Sequence, residues 1–311
     1  MSMEVFFLLL KFAISDFLAE KELQNLSENT LKGYAIFFRE FKRWTMEHDL
    51  LDASDVTHAH IKSYLLYCKN ERGNNPTTIN VKLKNLNTFF NHMLDNEYIK
   101  SNPCKKVKRQ ETDNRIEVFT DSHIRQMLSY YRRLRRKDHE FTAYRNHTII
   151  ILLLGTGIRI GELRGVKWSD IDEQHFQLTI FGKNRKQETV PLTEKVIDEL
   201  NELKLFCTRY FKELPIYVFC NRDGTQMAYD STKSVFKRLQ IAMNFKDVRL
   251  SAHTFRHTFA HRFLMNGGDV FTLQKILRHS SLSMTQKYLA LWGSALKEQN
   301  DKYNPLNDFD L

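Results

Sequence analysis

The stretch Thr156-Gly157-Ile158-Arg159-Ile160-Gly161-Glu162-Leu163 places an arginine directly after a glycine break, at a point where a helix begins. Before it, residues 146–154 (NHTIIILLL) form a run without charged Lys, Arg, Asp or Glu that is wholly apolar from residue 149 on and predicts a buried helix ending at Gly155. A guanidinium group beside such a break can pair with phosphate oxygens. The stretch therefore predicts a helical core with an anion-binding position at its edge.

Strand patterns follow this helical region over residues 175–192. Residues 176–181 (FQLTIF) alternate and are rich in aromatic and β-branched types, residues 182–186 (GKNRK) resemble a turn, and residues 188–192 (ETVPL) resume a strand pattern. We expect a β-hairpin with a basic tip. Since the remaining chain to about residue 296 has a helical pattern, the predicted fold class is mainly α with a small β-sheet in its second half.

The first hundred residues predict helices with short connections. Ser27, with Thr30 nearby, is a helix start signal, and the helix that follows carries an aromatic stripe at spacings of three and four, formed by Tyr34, Phe37, Phe38, Phe41 and Trp44. Pro76 starts a later helix that includes Lys82 and Lys84, which could expose a basic face. This half is therefore predicted to be a helical domain.

A break at Ser101-Asn102-Pro103 precedes the basic run Lys105-Lys106-Val107-Lys108-Arg109. Breaker residues, a charge run and few apolar side chains together indicate a domain boundary. The predicted organisation is a helical domain at 1–100, a basic linker at 101–117, a second domain at 118–296 and a tail at 297–311.

The charge balance narrows the class of partner. Lys and Arg number 47 against 37 Asp and Glu, which gives a net charge of +10 and favours a polyanion, nucleic acid before a membrane surface. The four cysteines have no CxxC pair, so neither a disulfide framework nor a zinc pattern is indicated. Since no apolar run reaches about 18 residues, we expect no membrane span.

Reactive side chains recur at helix starts and loops in the second half. His253 and Arg256 are three apart on one helix face, His279 follows, and Tyr288 comes nine residues later. Arginines can neutralise charge that develops on a phosphate, histidine and lysine can move protons, and a tyrosine oxygen can be a nucleophile. Each residue also has a structural alternative, for example a helix cap at His253 or a core position at Tyr288.

As a set, these segments resemble the tyrosine recombinases, or phage integrase family. The resemblance rests on TGIRIGEL (156–163), FGKNRKQETVPL (181–192), HTFRHTFA (253–260), LRHSS (277–281) and the context of Tyr288, and it extends more weakly to LSENTLKGYAIFFREF (26–41). It implies a helical SAM-like core-binding domain followed by a mixed catalytic domain of the two-domain, Xer-like or mobile-element type.

The resemblance also implies roles for single residues. Arg159 and Arg256 would clamp the scissile phosphate, Glu162 would support the site, and Tyr288 would form a 3′-phosphotyrosyl link. His253 would assist proton transfer, His279 would bond to the phosphate, and Lys183 would protonate the leaving 5′ oxygen, although Arg185 and Lys186 share its turn. Arg278 departs from the family pattern, which often has glycine there, and predicts either a different turn or an extra phosphate contact. The complete set of DNA-binding candidates is Lys82, Lys84, Lys105, Lys106, Lys108, Arg109, Arg185, Lys186 and Arg278.

The activity that the resemblance implies is site-specific DNA recombination through a Holliday junction, without metal or ATP. The expected partners are duplex DNA sites, further copies of the chain in a tetramer and an accessory directionality factor, with the chain in the cytoplasm and residues from 292 onward docking on a neighbouring subunit. The two domains are expected to close on DNA as a clamp. Two alternatives stay open: strand relaxation of the type IB topoisomerase kind, and a non-catalytic DNA-binding regulator.

Overall fold

A computed structural model describes residues 9–112, 116–138, 140–182, 187–279, 281–288, 300 and 304. The chain divides into two compact units, Met1–Asn114 and Arg115–Leu311, called the N-terminal unit and the C-terminal unit below. The domain limits predicted from the sequence stay predictions. Within the described residues, no helix is long and apolar enough to cross a membrane.

Four helices make up most of the described N-terminal unit. They are α1 (Leu10–Leu23), α2 (Glu28–Met46), α3 (His58–Asn70) and α4 (Pro76–Asp95), with a 3-10 turn at Ala53–Asp55. Side-chain oxygens cap three of them: Ser27 accepts from the N–H of Thr30, Thr57 from that of His60, and Asn75 from that of Thr78. These caps satisfy main-chain donors that a helix start leaves free, so the start signals at Ser27 and Pro76 are confirmed.

An aromatic core holds the N-terminal unit together. Phe37, Phe38, Phe41 and Trp44 of α2 are all buried, which confirms the predicted stripe. Phe17 of α1 lies among them, with its ring centroid 5.3 Å from that of Phe38 and 5.6 Å from that of Phe89 in edge-to-face contacts. Edge-to-face pairs add to the stability that burial of the rings already provides.

Lys82 corrects the prediction of a basic face on α4. Its side chain is only 10% exposed, and its ammonium donates to Glu40 Oε1 at 2.7 Å. The same ammonium lies 5.7 Å from the ring centroids of Phe37 and Tyr64. Lys82 is therefore a buried ion-pair partner inside the helical core and is not presented to DNA, whereas Lys84 is exposed.

The first part of the predicted linker packs on the N-terminal unit. The Asn102 amide donates to the side chains of Asn87 and Asn91, and Cys104 is buried. The side-chain amide of Asn80 donates to the carbonyl of Gln110 at 2.8 Å and accepts from the main-chain N–H of Gln110 at 2.9 Å. The four basic residues of this segment, Lys105, Lys106, Lys108 and Arg109, are nevertheless exposed and stay candidates for contact with phosphate.

The C-terminal unit surrounds a central helix with other helices and one small sheet. Its helices are α5 (Asp121–Asp138), α6 (Phe141–Thr156), α7 (Ile160–Gly165), α8 (Glu194–Phe211), α9 (Tyr229–Met243), α10 (Ala252–Met265), α11 (Val270–Leu277) and α12 (Ser283–Gln286). Helix α6 packs against α5, α8 and α10. It contains the predicted apolar run, and burial of Ile149, Ile150 and Leu153 confirms that run as core.

Three short antiparallel strands form the sheet, in the order β1 (Ile171–Asp172), β2 (Gln177–Phe181) and β3 (Gln187–Pro191). Leu178 pairs with Val190 and both are buried, so one face of the hairpin packs on the core. The predicted hairpin and the mainly α class are confirmed, and strand β1 is an addition that the sequence did not indicate. The tip, residues 183–186, lies outside the described residues.

Candidate active site

Arg159 stands at the junction that the opening stretch predicted. Helix α6 ends at Gly157, whose φ of 61° is left-handed, and α7 begins after Arg159. A Cβ at Gly157 would lie 2.7 Å from the Phe259 ring, so glycine is required both by the backbone and by the space. The break therefore turns the chain sharply and places Arg159 at a helix start.

Glu162 holds the two arginines on either side of it. Its carboxylate accepts from the main-chain N–H and the Nη1 of Arg159, both at 2.8 Å, and from Nη2 of Arg278 at 2.6 Å. The Glu162 side chain is 6% exposed. A buried carboxylate with charge-assisted bonds of this length fixes the position of its partners. This geometry supports the predicted role of Glu162 in holding the site.

Arg256 lies deeper than Arg159. It is 5% exposed, and its guanidinium donates to the carbonyls of Gly157 at 2.7 Å and Leu277 at 2.5 Å. Arg159 donates to the neighbouring carbonyl of Arg278 at 3.1 Å. Burial, followed by repulsion from Arg159, lowers the pKa of Arg256 to about 10. Two guanidinium groups are thus anchored to one turn of backbone, and an anion between them would relieve their repulsion.

Arg278 keeps the backbone conformation that glycine would favour. Its φ is 54°, in the left-handed region, and its side chain is 5% exposed with Nη2 bonded to Glu162. Nη1 donates to the carbonyl of Ile276 at 2.6 Å, and Glu188 lies 3.6 Å from Nε as a second carboxylate. The left-handed turn gives no sign of a different backbone, and the pairing of the side chain with Glu162 argues against an extra phosphate contact.

His279 follows this turn and is also buried. Its Nδ1 bonds to Thr285 Oγ1 at 2.7 Å, which leaves Nε2 as the nitrogen that can serve a phosphate. Burial, followed by the charges of Arg256 and Arg159, lowers the pKa of His279 to about 4. The imidazole is therefore neutral near pH 7, and Thr285 sets its orientation.

Tyr288 lies against His279 and is 1% exposed. The two rings are nearly parallel, at 10°, with centroids 6.5 Å apart. Its hydroxyl bonds to Nδ1 of His257 at 2.8 Å. Burial raises the pKa of Tyr288 to about 12, against a smaller opposing effect of Arg256. The phenol is therefore protonated at neutral pH and needs a proton acceptor before it can attack.

His257 is the residue of this cluster that the sequence interpretation missed. It lies in the quoted HTFRHTFA segment, one position after Arg256 and four after His253. Spacing of four on a helix brings His253 and His257 to one face, which was the available signal. The contact with Tyr288, 31 positions away, required the fold.

His253 is at the exposed start of α10, three residues before Arg256. Neighbouring protein atoms that exclude water, followed by the charges of Arg256, Lys287 and Arg159, lower the pKa of His253. A neutral imidazole here can exchange protons, as the predicted role requires.

The remaining predicted residues fall into two groups. Lys84, Lys105, Lys106, Lys108 and Arg109 are exposed in the N-terminal unit. Lys183, Arg185 and Lys186 lie outside the described residues, as does almost all of the segment from residue 292 onward that was predicted to dock on a neighbour. Within the part of the chain that the structure describes, no three His, Cys, Asp or Glu side chains form a group that could hold a metal ion.

Two family models match the chain. Residues 117–292 match the model described as the phage integrase family, and residues 14–100 match the model described as the phage integrase N-terminal SAM-like domain. The first match includes every described member of the cluster from Arg159 to Tyr288.

Curated relatives agree over nearly the whole chain. A tyrosine recombinase XerC of Listeria innocua is 28% identical over 286 residues, which is 91% of this chain and 93% of that relative. A tyrosine recombinase XerC of Thermodesulfovibrio yellowstonii is 26% identical and covers 96% of this chain and 98% of its own length. The match thus spans both units.

Solved structures show the same fold. A lambda integrase tetramer bound to a Holliday junction has a TM-score of 0.73 at 16% identity, covering 91% of this chain and 77% of that chain. The Tn1549 transposon integrase in complex with transposon right end DNA has a TM-score of 0.72 at 20% identity, covering 90% and 94%. With the family models and the curated relatives, these similarities confirm the resemblance, and the chain belongs to the phage integrase family of tyrosine recombinases.

Proposed function

We propose that Tyr288 is the nucleophile of this site-specific DNA recombinase and forms a 3′-phosphotyrosyl link. The observation that carries the proposal is the convergence of two anchored guanidinium groups, a buried neutral histidine and a buried tyrosine from four separate segments of the C-terminal unit. Arg159 and Arg256 are bound to carbonyls of one turn, and His279 in the same turn lies against Tyr288. Each of these groups has a part to play in transfer of a phosphodiester.

The arginines stabilise charge on the phosphate. Negative charge grows on the non-bridging oxygens as the Tyr288 oxygen bonds to phosphorus, and preorganised guanidinium groups stabilise that charge without rearranging. His279 donates a further hydrogen bond through Nε2. These three groups supply the charge stabilisation that metal ions supply elsewhere, so we propose a reaction that needs neither metal nor ATP.

Proton transfer to the leaving group completes the cleavage step. The bond from phosphorus to the 5′ oxygen breaks, and this oxygen takes a proton, in our proposal from Lys183 with assistance from His253. The bond energy is kept in the phosphotyrosyl ester, so a 5′-hydroxyl of a partner strand reseals the DNA. That strand exchange defines recombination rather than hydrolysis.

Duplex DNA is the proposed partner, and the exposed cations of the N-terminal unit are proposed to contact its backbone. Salt-dependent binding is expected because each phosphate contact releases counterions. The solved lambda integrase is a tetramer on a Holliday junction, which supports the same assembly and intermediate here. An accessory directionality factor and action in the cytoplasm complete the proposal. The XerC relatives support a bacterial setting.

A trapped cleavage product tests this function. A recombination site is first selected from a random-sequence duplex library and then nicked close to the cleavage point, so that a short fragment diffuses away after cleavage. Wild type is expected to give a covalent protein–DNA band in EDTA on a denaturing gel, and Tyr288→Phe is expected to bind the duplex without giving the band. A covalent band from Tyr288→Phe, or a wild-type band that requires Mg²⁺, would contradict the proposal.

A further inference from the structure

We propose that His257 is a catalytic residue that accepts the proton of Tyr288 as the tyrosine oxygen attacks the phosphate, an inference that rests on the proposed function. The observation is the direct contact between Nδ1 of His257 and the hydroxyl of Tyr288 at 2.8 Å. A general base has to lie within hydrogen-bond reach of the proton that it removes, and His257 meets this condition before DNA binds.

The surroundings of the pair restrict the choice of base. Glu162, a buried carboxylate of the cluster, has both oxygens hydrogen-bonded to Arg159 and Arg278. His279 commits Nδ1 to Thr285 and meets Tyr288 with its ring face. Among the side chains that the structure describes, His257 is the one whose ring nitrogen is hydrogen-bonded to the reacting oxygen of Tyr288.

The protonation states match this role. Burial, followed by the charges of Lys287, His253 and Arg256, lowers the pKa of His257 to about 4, so its imidazole is neutral at pH 7. A neutral Nδ1 can accept the bond from the phenol, which keeps its own proton because burial raises its pKa. Such a weak base takes the proton only while the new ester forms, since phosphorus then withdraws electron density from the phenol oxygen.

The Tyr288 oxygen forms a bond to phosphorus, its proton passes to Nδ1 of His257, and the bond from phosphorus to the 5′ oxygen breaks with a proton supplied to that oxygen by a separate acid. In resealing, the incoming 5′-hydroxyl attacks phosphorus and gives its proton to the conjugate base of that acid, while the imidazolium of His257 returns a proton to the departing Tyr288 oxygen. No oxidant or reductant is involved.

His257→Asn tests the role, because asparagine can keep a hydrogen bond to Tyr288 and cannot take the proton at neutral pH. His257→Gln is a second variant in case the first folds poorly. The matched control is His261→Asn, which makes the same change one turn further along α10, away from the tyrosine. Single-turnover formation of the covalent complex is measured at saturating nicked duplex, together with DNA affinity and thermal unfolding.

We expect His257→Asn to lower the rate at pH 7 by at least about 100-fold, the usual contribution of a general base, with DNA affinity unchanged. Its rate should then rise nearly tenfold per pH unit, since hydroxide must remove the phenol proton, whereas wild type and His261→Asn should change little from pH 7 to 9. A rate within about threefold of wild type, or a loss that does not depend on pH, would overturn the inference.

A DNA substrate with sulfur at the leaving 5′ position distinguishes loss of the general base from loss of the general acid. Sulfur in place of the leaving 5′ oxygen departs without a proton, so it bypasses the acid and should leave His257→Asn slow. Restoration of the His257→Asn rate by sulfur would assign His257 to the leaving group and overturn the inference. Wild type is measured in parallel. If wild type cleaves normally and His257→Asn is unimpaired, the inference about His257 fails and the proposed function stands.

Discussion

Each unit buries charged side chains, and two of these, Lys82 and Arg256, have different partners. In the N-terminal unit, Lys82 pairs with the opposite charge of Glu40 at 2.7 Å, and both belong to helices packed on an aromatic core. In the C-terminal unit, Arg256 is buried against two carbonyls, with the like charge of Arg159 close enough to lower its pKa. The Lys82–Glu40 pair is neutral as a whole, whereas Arg256 and Arg159 together retain positive charge.

The difference separates a structural ion pair from a site prepared for a ligand. A buried charge that faces its counterion within the fold is compensated before any ligand arrives, whereas neighbouring guanidinium groups reduce stability until an anion binds. The exposed fraction of the whole residue is nearly the same for Lys82 and Arg256, at 8% and 5%. Burial alone therefore does not distinguish them. The sign of the neighbouring charge does.

The largest effect is expected from Arg256→Lys. An ammonium cannot hold both carbonyls and the phosphate, so the covalent complex should form about 1000-fold more slowly. The free energy of unfolding should change by no more than about 1 kcal/mol, because a buried like charge is retained in smaller form. Single-turnover cleavage and chemical denaturation measure the two quantities, and a large loss of stability with normal cleavage would reverse the comparison.

Lys82→Met should have the opposite profile. Removing one partner of a buried pair leaves Glu40 uncompensated and should destabilise the N-terminal unit by about 3 kcal/mol, with little change in DNA affinity at a temperature where the variant is folded. Amide hydrogen exchange of α2 and α4 in the full chain reports the stability. The matched control is the exposed Lys84→Met, for which we expect normal exchange and weaker DNA binding; equal loss of affinity in both variants would restore Lys82 as a DNA contact.

Acid should act first on the C-terminal unit. The folded pKa of His279 is about 4 against an ordinary 6.5, so the unfolded chain binds more protons between these values and stability falls as the pH drops through this window. From pH 7 to 5 the loss from His279 is about 2 kcal/mol. Glu40, whose pKa is lowered by Lys82 against the effect of burial, keeps its charge over this range. Amide hydrogen exchange measured at pH 7 and pH 5 should show the loss of stability in α11 and not in α2. The His279→Asn substitution should reduce this loss.

Arg278→Gly has the smallest expected effect. Glycine relieves the left-handed backbone but releases Glu162, so Arg159 is held less firmly and cleavage should slow about tenfold. The salt dependence of DNA binding should not change, because the Arg278 guanidinium is paired with Glu162 within the fold. A slope of log affinity against log salt that falls by about one would show instead that Arg278 neutralises a phosphate.

Most of the fold was predictable because it follows local patterns. The aromatic stripe of α2, the proline start of α4 and the hairpin are each determined by residues close in sequence. Lys82 was misread although a signal existed: it shares the spacing of Ile79, Leu86 and Phe89, all buried on α4. A lysine within an apolar helix face has its partner on another helix, and that partner cannot be read from one helix.

The candidate site was predictable as a set of segments and not as a set of contacts. Arg159, Arg256, His279 and Tyr288 come from motifs whose order identifies the family. The bond of His257 to Tyr288 depends on how α10 meets the chain after α11. The bond of Thr285 to His279 joins residues only six positions apart, but no periodic pattern indicates it. Arg278 shows the same limit, since its left-handed backbone and its partner Glu162, 116 positions away, are properties of the folded turn.

The account depends most on the identity of the nucleophile. The covalent complex formed by wild type on the nicked duplex can be digested with nuclease and protease, and the peptide that retains a nucleotide can be sequenced by mass spectrometry. If Tyr288 is the nucleophile, the nucleotide is attached to it through its 3′ phosphate. Attachment to any other side chain, such as Tyr229 or Tyr303, would contradict this assignment.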